Sequence, residues 1–472
     1  MKSGIPGTDK TSDVRRTAPV AAPQFLEPEA PAAPTVRGTS VPTAPEVVTP
    51  RTDAPQPAAS EAEASGPEAP EPELLLEPRD GLPPVIADDH ALDEAARALA
   101  AGSGPVAVDA ERASGYRYGQ RAYLVQLRRA GAGSFLVDPV ACPDLTVLRT
   151  ALADVEWVLH AASQDLPCLA ERGFVPDRLF DTELAGRLAG HERVGLGPIT
   201  EKLLGVRLEK GHSAVDWSTR PLPEPWLRYA ALDVELLVDL RDALEADLSA
   251  QGKLEWAHQE FAALVDATPK APPAEPWRRT SGMHKVRNRR QLATVRALWE
   301  ARDRVARRRD IAPGRVLPDS AIVEAALASP PDVAALTRLP VFSGPRMRRN
   351  AEQWWSAIAA AAALPDTELP RPSVPGNGIP PPNRWAERDP EAAERLARAR
   401  AGLAELSERY RVPVENLLEP ALVRRLAWSP PTDVGVESVR AALEEGGARP
   451  WQVDLTLPLL VEALHAPVVP SA

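Results

Sequence analysis

Gly104-Pro105-Val106-Ala107-Val108-Asp109-Ala110-Glu111 is the stretch on which the reading of this chain turns. A Gly-Pro turn followed by a short apolar run is the pattern of a buried strand. Successive side chains along a strand point to opposite faces, so Asp109 and Glu111 leave its end on the same side. Two carboxylates brought together repel, and the pair costs free energy unless a cation lies between them. Hard oxygen donors of this kind suit Mg2+ or Mn2+. A D-x-E pair is also the ordinary polar end of a solvated strand, so its meaning depends on the rest of the chain.

Upstream, residues 1–82 form a Pro-, Ala- and Glu-rich segment in which Phe25 is the only aromatic. Such a composition cannot bury enough apolar surface to offset the entropy of ordering it, which predicts a disordered acidic tail. A folded α/β unit is expected over residues 83–265. Its elements are a strand at 84–87, a helix capped by Asp88 or Asp89, the D-x-E strand, and strands at 123–127 and 134–138 joined by a turn at Gly131 and Gly133. A helix over 145–153 and a strand at 156–160 follow. Alternation of this kind predicts a sheet with helices on its faces. Asp165 then sits at a strand-to-helix junction, where open α/β sheets place their chemistry. The same place also suits a carboxylate that only complements a helix dipole. Further on, Pro223-Glu224-Pro225 starts a helix on which Tyr229 and Asp233, four residues apart, share one face.

With 472 residues, 44% of them hydrophobic, the chain is long enough for two to four domains. Cys142 and Cys168 make neither a disulfide framework nor a zinc set, which favours a reducing cytoplasm. Met1-Lys2-Ser3-Gly4-Ile5-Pro6 has no apolar signal core, and the longest apolar run, Ala357 to Leu364, falls short of the ~20 residues of a membrane helix. A cytoplasmic protein away from membranes is expected. The net charge of −11 argues at first against a nucleic-acid partner, but it is unevenly spread. Between residues 278 and 309, twelve Lys and Arg residues stand against Glu300 and Asp303, a local balance of +10. That density marks a phosphate-binding surface or a solvated helix face. A repeat appears here at an offset of 100: Pro313, Leu317, Ala321, Val323 and Ser329-Pro330-Pro331 return as Pro413, Leu417, Ala421, Val423 and Ser429-Pro430-Pro431. Two small helical bundles are expected, over 282–366 and 388–466, the second poorer in positive charge.

Taken in order, D-x-E on a strand, an Asp after His160-Ala161-Ala162-Ser163-Gln164, and Y-x-x-x-D on a helix resemble the DEDD exonucleases with a tyrosine in their third motif. The similarity is greatest to the ribonuclease D family. A lysine, Lys210, followed by Trp217-Ser218-Thr219-Arg220-Pro221-Leu222, is similar to the segment preceding the third motif there. The resemblance implies an RNase H-like exonuclease domain, a mixed sheet flanked by helices, followed by two all-α HRDC helical-bundle domains. It implies two divalent metal ions, Mg2+ or Mn2+, held by Asp109, Glu111, Asp165 and Asp233, with Tyr229 orienting the attacking water. Two ions can clamp both oxygens of a displacement at phosphorus. A phenol of pKa near ~10 is better placed as a positioner than as a base.

The activity so implied is 3′→5′ exoribonucleolytic trimming of structured RNA with a free 3′ end, tRNA precursors above all, releasing nucleoside 5′-monophosphates. A monomer with no obligate protein partner is expected. Lys210, Arg220, Lys285, Arg287, Arg289 and Arg290 are the candidate RNA contacts, while His160 and Ser163 read as architectural. The first motif departs from the usual D-T-E-F, reading Asp109-Ala110-Glu111-Arg112. Arg112 then packs differently against the terminal nucleotide, meets phosphate, or faces solvent. Two other readings are a 3′→5′ DNA exonuclease, separable through the 2′-hydroxyl, and a non-catalytic RNA-binding scaffold, against which the presence of all five motif residues speaks.

Overall fold

A computed structural model describes residues 71–209, 211–212, 214–268, 272–372 and 378–465. Residues 1–70 of the tail expected over 1–82, and Lys210, lie outside the described residues. The expected tail ran on to residue 82, but Glu73–Leu75 form a strand, β1, paired in parallel with β8 (Val206–Leu208). The reason is the apolar run at its end: Leu75 packs with Val206, Leu208 and Leu236.

The main sheet has six strands: β2 (Val85–Ile86), β3 (Ser103–Arg112), β4 (Ala122–Ala130), β5 (Gly133–Val137), β6 (Glu156–Leu159) and β7 (Arg178–Asp181). Their spatial order is β2-β5-β4-β3-β6-β7. The β5-β4-β3 part is antiparallel and the β3-β6-β7 part parallel, so the sheet is mixed. Among the described residues, the α-helices of this domain are α1 (Asp89–Ala101), α2 (Thr146–Ala151), α3 (Leu166–Ala170), α4 (Thr182–Ala189), α5 (Leu196–Leu204), α6 (Glu224–Glu235), α7 (Leu237–Ala250) and α8 (Leu254–Val265). Alternation along β3 divides its side chains. Val106 and Val108 join Leu92, Leu99, Leu145 and Leu148 in the core under α1 and α2. Ala107 packs on the opposite face against Val158, Val234 and Leu237, which fastens the junction of α6 and α7 over β3 and β6. Asp109 and Glu111 continue the Ala107 face and therefore emerge beneath α6.

Two helical bundles follow. The first contains α9 (Arg289–Arg309), α10 (Pro313–Val316), α11 (Asp319–Ala328), α12 (Val333–Arg338), α13 (Pro345–Arg349) and α14 (Ala351–Ala362). The second contains α15 (Trp385–Arg388), α16 (Pro390–Tyr410), α17 (Val414–Leu417), α18 (Pro420–Trp428), α19 (Val436–Glu445) and α20 (Pro450–His465). The sequence repeat has a structural counterpart. Each copy has a 21-residue helix that stops at a left-handed residue, Asp310 (φ 47°) or Arg411 (φ 52°), followed by a single turn and a second helix.

Both bundles pack on the exonuclease-like domain. The first grips the β3–β4 loop: Asp310 accepts from the amides of Tyr118 (3.2 Å) and Gly119 (3.1 Å), and Ala312 N donates to Tyr116 O at 2.8 Å. The second lies against α4 and α8. Lys253 Nζ donates to Leu188 O and Tyr410 O, and Trp256 stacks on Trp451 with centroids 4.8 Å apart. Gly190, at φ 84°, meets the Arg411 backbone so closely that an added Cβ would lie 2.7 Å from its carbonyl oxygen. Gly190→Ala is therefore expected to destabilise the protein by about 2 kcal/mol, through strain and forced separation of the two surfaces. Thermal unfolding followed by Trp256 and Trp451 fluorescence checks this.

Candidate active site

The carboxyl ends of β3 and β6 lie side by side because these strands are parallel neighbours, and α6 packs over β3 and its neighbours β4 and β5. Asp109 and Glu111 come from β3, Asp233 from the underside of α6, and Asp165 from the turn after β6. Ligand oxygens of Asp109, Glu111 and Asp233 all lie within 4.8 Å of one another. Asp165 is buried close to Asp109 but is not part of that three-oxygen cluster; its carboxylate meets Arg112 Nη2 at 3.5 Å. Tyr229 lies one turn before Asp233 on α6, and its hydroxyl and that carboxyl influence each other's charge. All five residues of the expected site are thus drawn to one end of the sheet.

Electrostatics make this a demanding arrangement. Burial, and then mutual repulsion, hold the carboxyls of Glu111, Asp165 and Asp233 above the usual carboxylate range, and burial does the same to Asp109. Burial and the nearby charges of Asp233 and Glu111 push the Tyr229 phenol upward, so it stays protonated at neutral pH. The donor set is entirely carboxylate oxygen, which fits a hard divalent cation. Such an ion would supply the positive charge that the cluster lacks.

Second-layer residues hold these groups in place. Asp181 at the end of β7 is buried, and its oxygens accept from Ala161 N (3.0 Å), Ala162 N (2.9 Å), Glu183 N (2.9 Å) and Leu184 N (3.1 Å). It caps α4 while fixing the turn that carries Asp165, with Ala161 left-handed at φ 61°. The signal for it in the sequence was an Asp-Thr-Glu helix start, which shows a cap but not what else the cap holds. His160 Nδ1 meets Thr182 Oγ1 at 2.9 Å, an architectural contact as expected. Gln126 was missed altogether. It faces Asp109 across β3 and β4, is fully buried, and neither end of its amide has a hydrogen-bond partner among the described residues. A lone glutamine in the apolar run Tyr123-Leu124-Val125-Gln126-Leu127 was its signal.

Three of the arginines expected to contact RNA make hydrogen bonds within the protein. The five N–H donors of Arg220 go to Asp138 (2.7 and 2.8 Å), Trp217 O (2.9 Å), Thr219 O (2.8 Å) and Tyr123 O (2.7 Å). Its guanidinium ties the loop before α6 to β4 and to the residue after β5. Arg289 donates to the carbonyls of Pro370, Asp366 and Leu369, and Arg290 to the carbonyls after α14 and to Asp366. These arginines hold the end of the first bundle. Lys285 and Arg287 are exposed.

Comparison with known proteins gives the same picture. A family described as "3'-5' exonuclease" matches residues 83–249, and "HRDC domain" matches residues 291–358. The second bundle, expected as a further HRDC copy, is matched over residues 378–464 by a separate family, "3' to 5' exonuclease C-terminal domain". The chain is 36% identical over 285 residues to ribonuclease D of Acidiphilium cryptum, covering 58% of this chain and 72% of that one. It is 31% identical over 298 residues to ribonuclease D of Escherichia coli, covering 61% and 78%. Among solved structures, a protein from Bifidobacterium adolescentis superposes with a TM-score of 0.75 at 40% identity, over 84% of this chain and all of that one. The Escherichia coli RNase D structure, described as an exoribonuclease involved in structured RNA processing, superposes with a TM-score of 0.60 at 26% identity, over 81% and 98%. Among the described residues, no helix is long and apolar enough to cross a membrane.

Two stability changes should follow from the site. Burial holds His160 at a pKa of about 4 against an ordinary 6.5, so the folded state binds fewer protons than the unfolded chain between those values. Stability contributed by neutral His160 is then present above pH 6.5 and lost as pH falls toward 4, by up to about 3 kcal/mol. His160→Asn, which keeps a donor for Thr182, should remove that part of the acid sensitivity, measured as the difference in unfolding free energy between the two proteins across pH 4–7. Separately, Gln126→Leu should raise the stability of the metal-free protein by about 1–3 kcal/mol by removing an unpaired buried amide. Denaturant unfolding in chelator checks it.

Proposed function

We infer the reaction from one premise: the chain belongs to the ribonuclease D family and is a 3′→5′ exoribonuclease. That family is metal-dependent, and the HRDC domain indicates nucleic-acid binding. The substrate we propose is structured RNA with a free 3′ end, tRNA precursors in particular. In each turnover a water oxygen bonds to the last phosphorus and the bond to the 3′-oxygen of the preceding nucleotide breaks. A nucleoside 5′-monophosphate leaves, and the shortened RNA retains a 3′-hydroxyl.

The residues suited to hold two divalent ions, Mg2+ or Mn2+, are Asp109, Glu111 and Asp233 for one, and Asp109 with Asp165 for the other. When bound, such ions neutralise the phosphate oxygens, ease deprotonation of the water and stabilise the leaving 3′-oxygen. Tyr229 remains a phenol and spends its own proton on Asp233, leaving its oxygen to accept from the attacking water and orient it. Asp181 keeps Asp165 at the end of β6, and Arg220 keeps the loop before α6 closed onto the sheet. Exposed Lys285 and Arg287, with Arg304, Arg308 and Arg309 on α9, are cations suited to meet the RNA body.

The observation that carries this reading is the approach of three carboxylate oxygens to within 4.8 Å, with Tyr229 one helical turn from Asp233. Asp109→Asn should lower Mg2+-dependent trimming by on the order of 10³-fold or more without unfolding the chain. Loss should be equal on short and structured RNAs, measured by release of 5′-monophosphates. RNA and DNA of one sequence, offered in competition, test the sugar preference: faster consumption of DNA would replace the RNA reading with a DNA exonuclease.

A further inference from the structure

Arg112 stands where the family has an apolar aromatic, and its place in this site sets it apart from the other arginines described above. Arg220, Arg289 and Arg290 each spread several donors over carbonyls and carboxylates. Arg112 makes one long ion pair, Nη2 to Asp165 Oδ1 at 3.5 Å, and no fork-like contact. It is partly exposed, whereas Asp165 is buried. Arg112 lines a cavity with Glu111, Ser114, Gly115 and Tyr116, beside the carboxylate cluster to which Glu111 belongs. Its charge also acts favourably on Asp109, Glu111 and Asp165 together. Of the four acids, Asp165 alone has this partner and Asp165 alone lies outside the three-oxygen group.

We propose that Arg112 is the resident counter-cation of Asp165 and must release it before a second divalent ion can be held there, so that RNA, by taking the guanidinium onto its phosphate, admits that ion. The inference rests on the two-ion reading above. A single contact at 3.5 Å is a weak hold for a group with five donors. A phosphate offers the bidentate geometry that a guanidinium favours. Transfer of Arg112 from carboxylate to phosphate thus leaves Asp165 without its resident cation at the moment a substrate is in place. A chain without the arginine has no such order, and four uncompensated carboxylates in its metal-free state.

Counting bound ions separates the two cases. The full chain, titrated with Mn2+ alone and followed by the paramagnetic resonance of free Mn2+, should bind one ion without RNA. It should bind two when given an RNA oligonucleotide whose last linkage is a non-hydrolysed phosphorothioate. Arg112→Met and Arg112→Phe should bind two ions without RNA, and Arg112→Lys, which keeps a cation, should bind one. The Met and Phe variants should also melt lower than wild type in chelator and recover with Mn2+; circular dichroism confirms that they fold. Two ions on the wild type without RNA, or one on every variant while wild-type trimming remains Mg2+-dependent, overturns the role of Arg112 alone. A wild-type chain that binds no Mn2+ overturns the metal reading and this inference together.

Discussion

Like charges held together at the end of β3 are the constraint on which this molecule depends. Asp109, Glu111 and Asp233 cannot approach within 4.8 Å on their own account, and burial makes the approach costlier still. What holds them is the apolar contact just below. Ala107, Val158, Val234 and Leu237 are all buried where α6 turns into α7, a contact that begins at Val234, one residue beyond Asp233. One strand and one helix therefore change character together along their length, dry at one end and acidic at the other. The dry end supplies the free energy that keeps the acidic end assembled, so the site is pre-organised for a cation rather than folded by one.

Polar hubs set the surrounding loops in the same spirit. Asp181 collects four amides from two segments, Arg220 spends every donor on β4, the end of β5 and its own loop, and Asp310 reaches from the first bundle to two amides of the β3–β4 loop. Each is a charged group that spends hydrogen bonds on backbone amides or carbonyls of a neighbouring segment. Their common feature is that each one immobilises a loop that borders the carboxylates. Buried charge used this way stabilises one loop geometry over its alternatives, and the enzyme gains register rather than net stability.

The sequence made the framework legible because the framework is periodic. Val106, Val108 and Ala110 alternate with Ala107, Asp109 and Glu111, and the four-residue step from Tyr229 to Asp233 has one meaning on a helix. The destination of a long side chain is not periodic. Nothing in Arg289-Arg290 distinguishes an arginine turned to RNA from one turned to the carbonyls after α14, and the composition that suggested a phosphate-binding face counted both kinds alike. Gln126 and Asp181 were missed for a related reason: their significance lies in which distant backbone or carboxylate they face, which only the register of β3 against β4, and of β6 against β7, decides. Leu75 was lost inside a Glu-rich stretch because a three-residue strand has too few positions to show a pattern.

The two bundles show how a duplicated fold acquires separate duties. In both copies the long helix ends in a left-handed residue, and in both that residue is one of the contacts with the exonuclease domain. In the first copy it is Asp310, whose carboxylate reaches the β3–β4 loop beside Arg112. In the second it is Arg411, whose backbone presses on Gly190 at the far end of α4. A helix terminus turned sharply back on itself projects its last residue outward, which makes this position a natural foot for docking whatever side chain it carries. Side-chain chemistry then divides the work. The first copy keeps exposed cations at Arg304, Arg308 and Arg309 along the same helix, whereas the second stacks Trp451 on Trp256 and turns its resources to holding α8. One bundle is thereby left free to meet a polyanion while standing on the loop beside the carboxylate cluster, and the other is committed to the body of the enzyme.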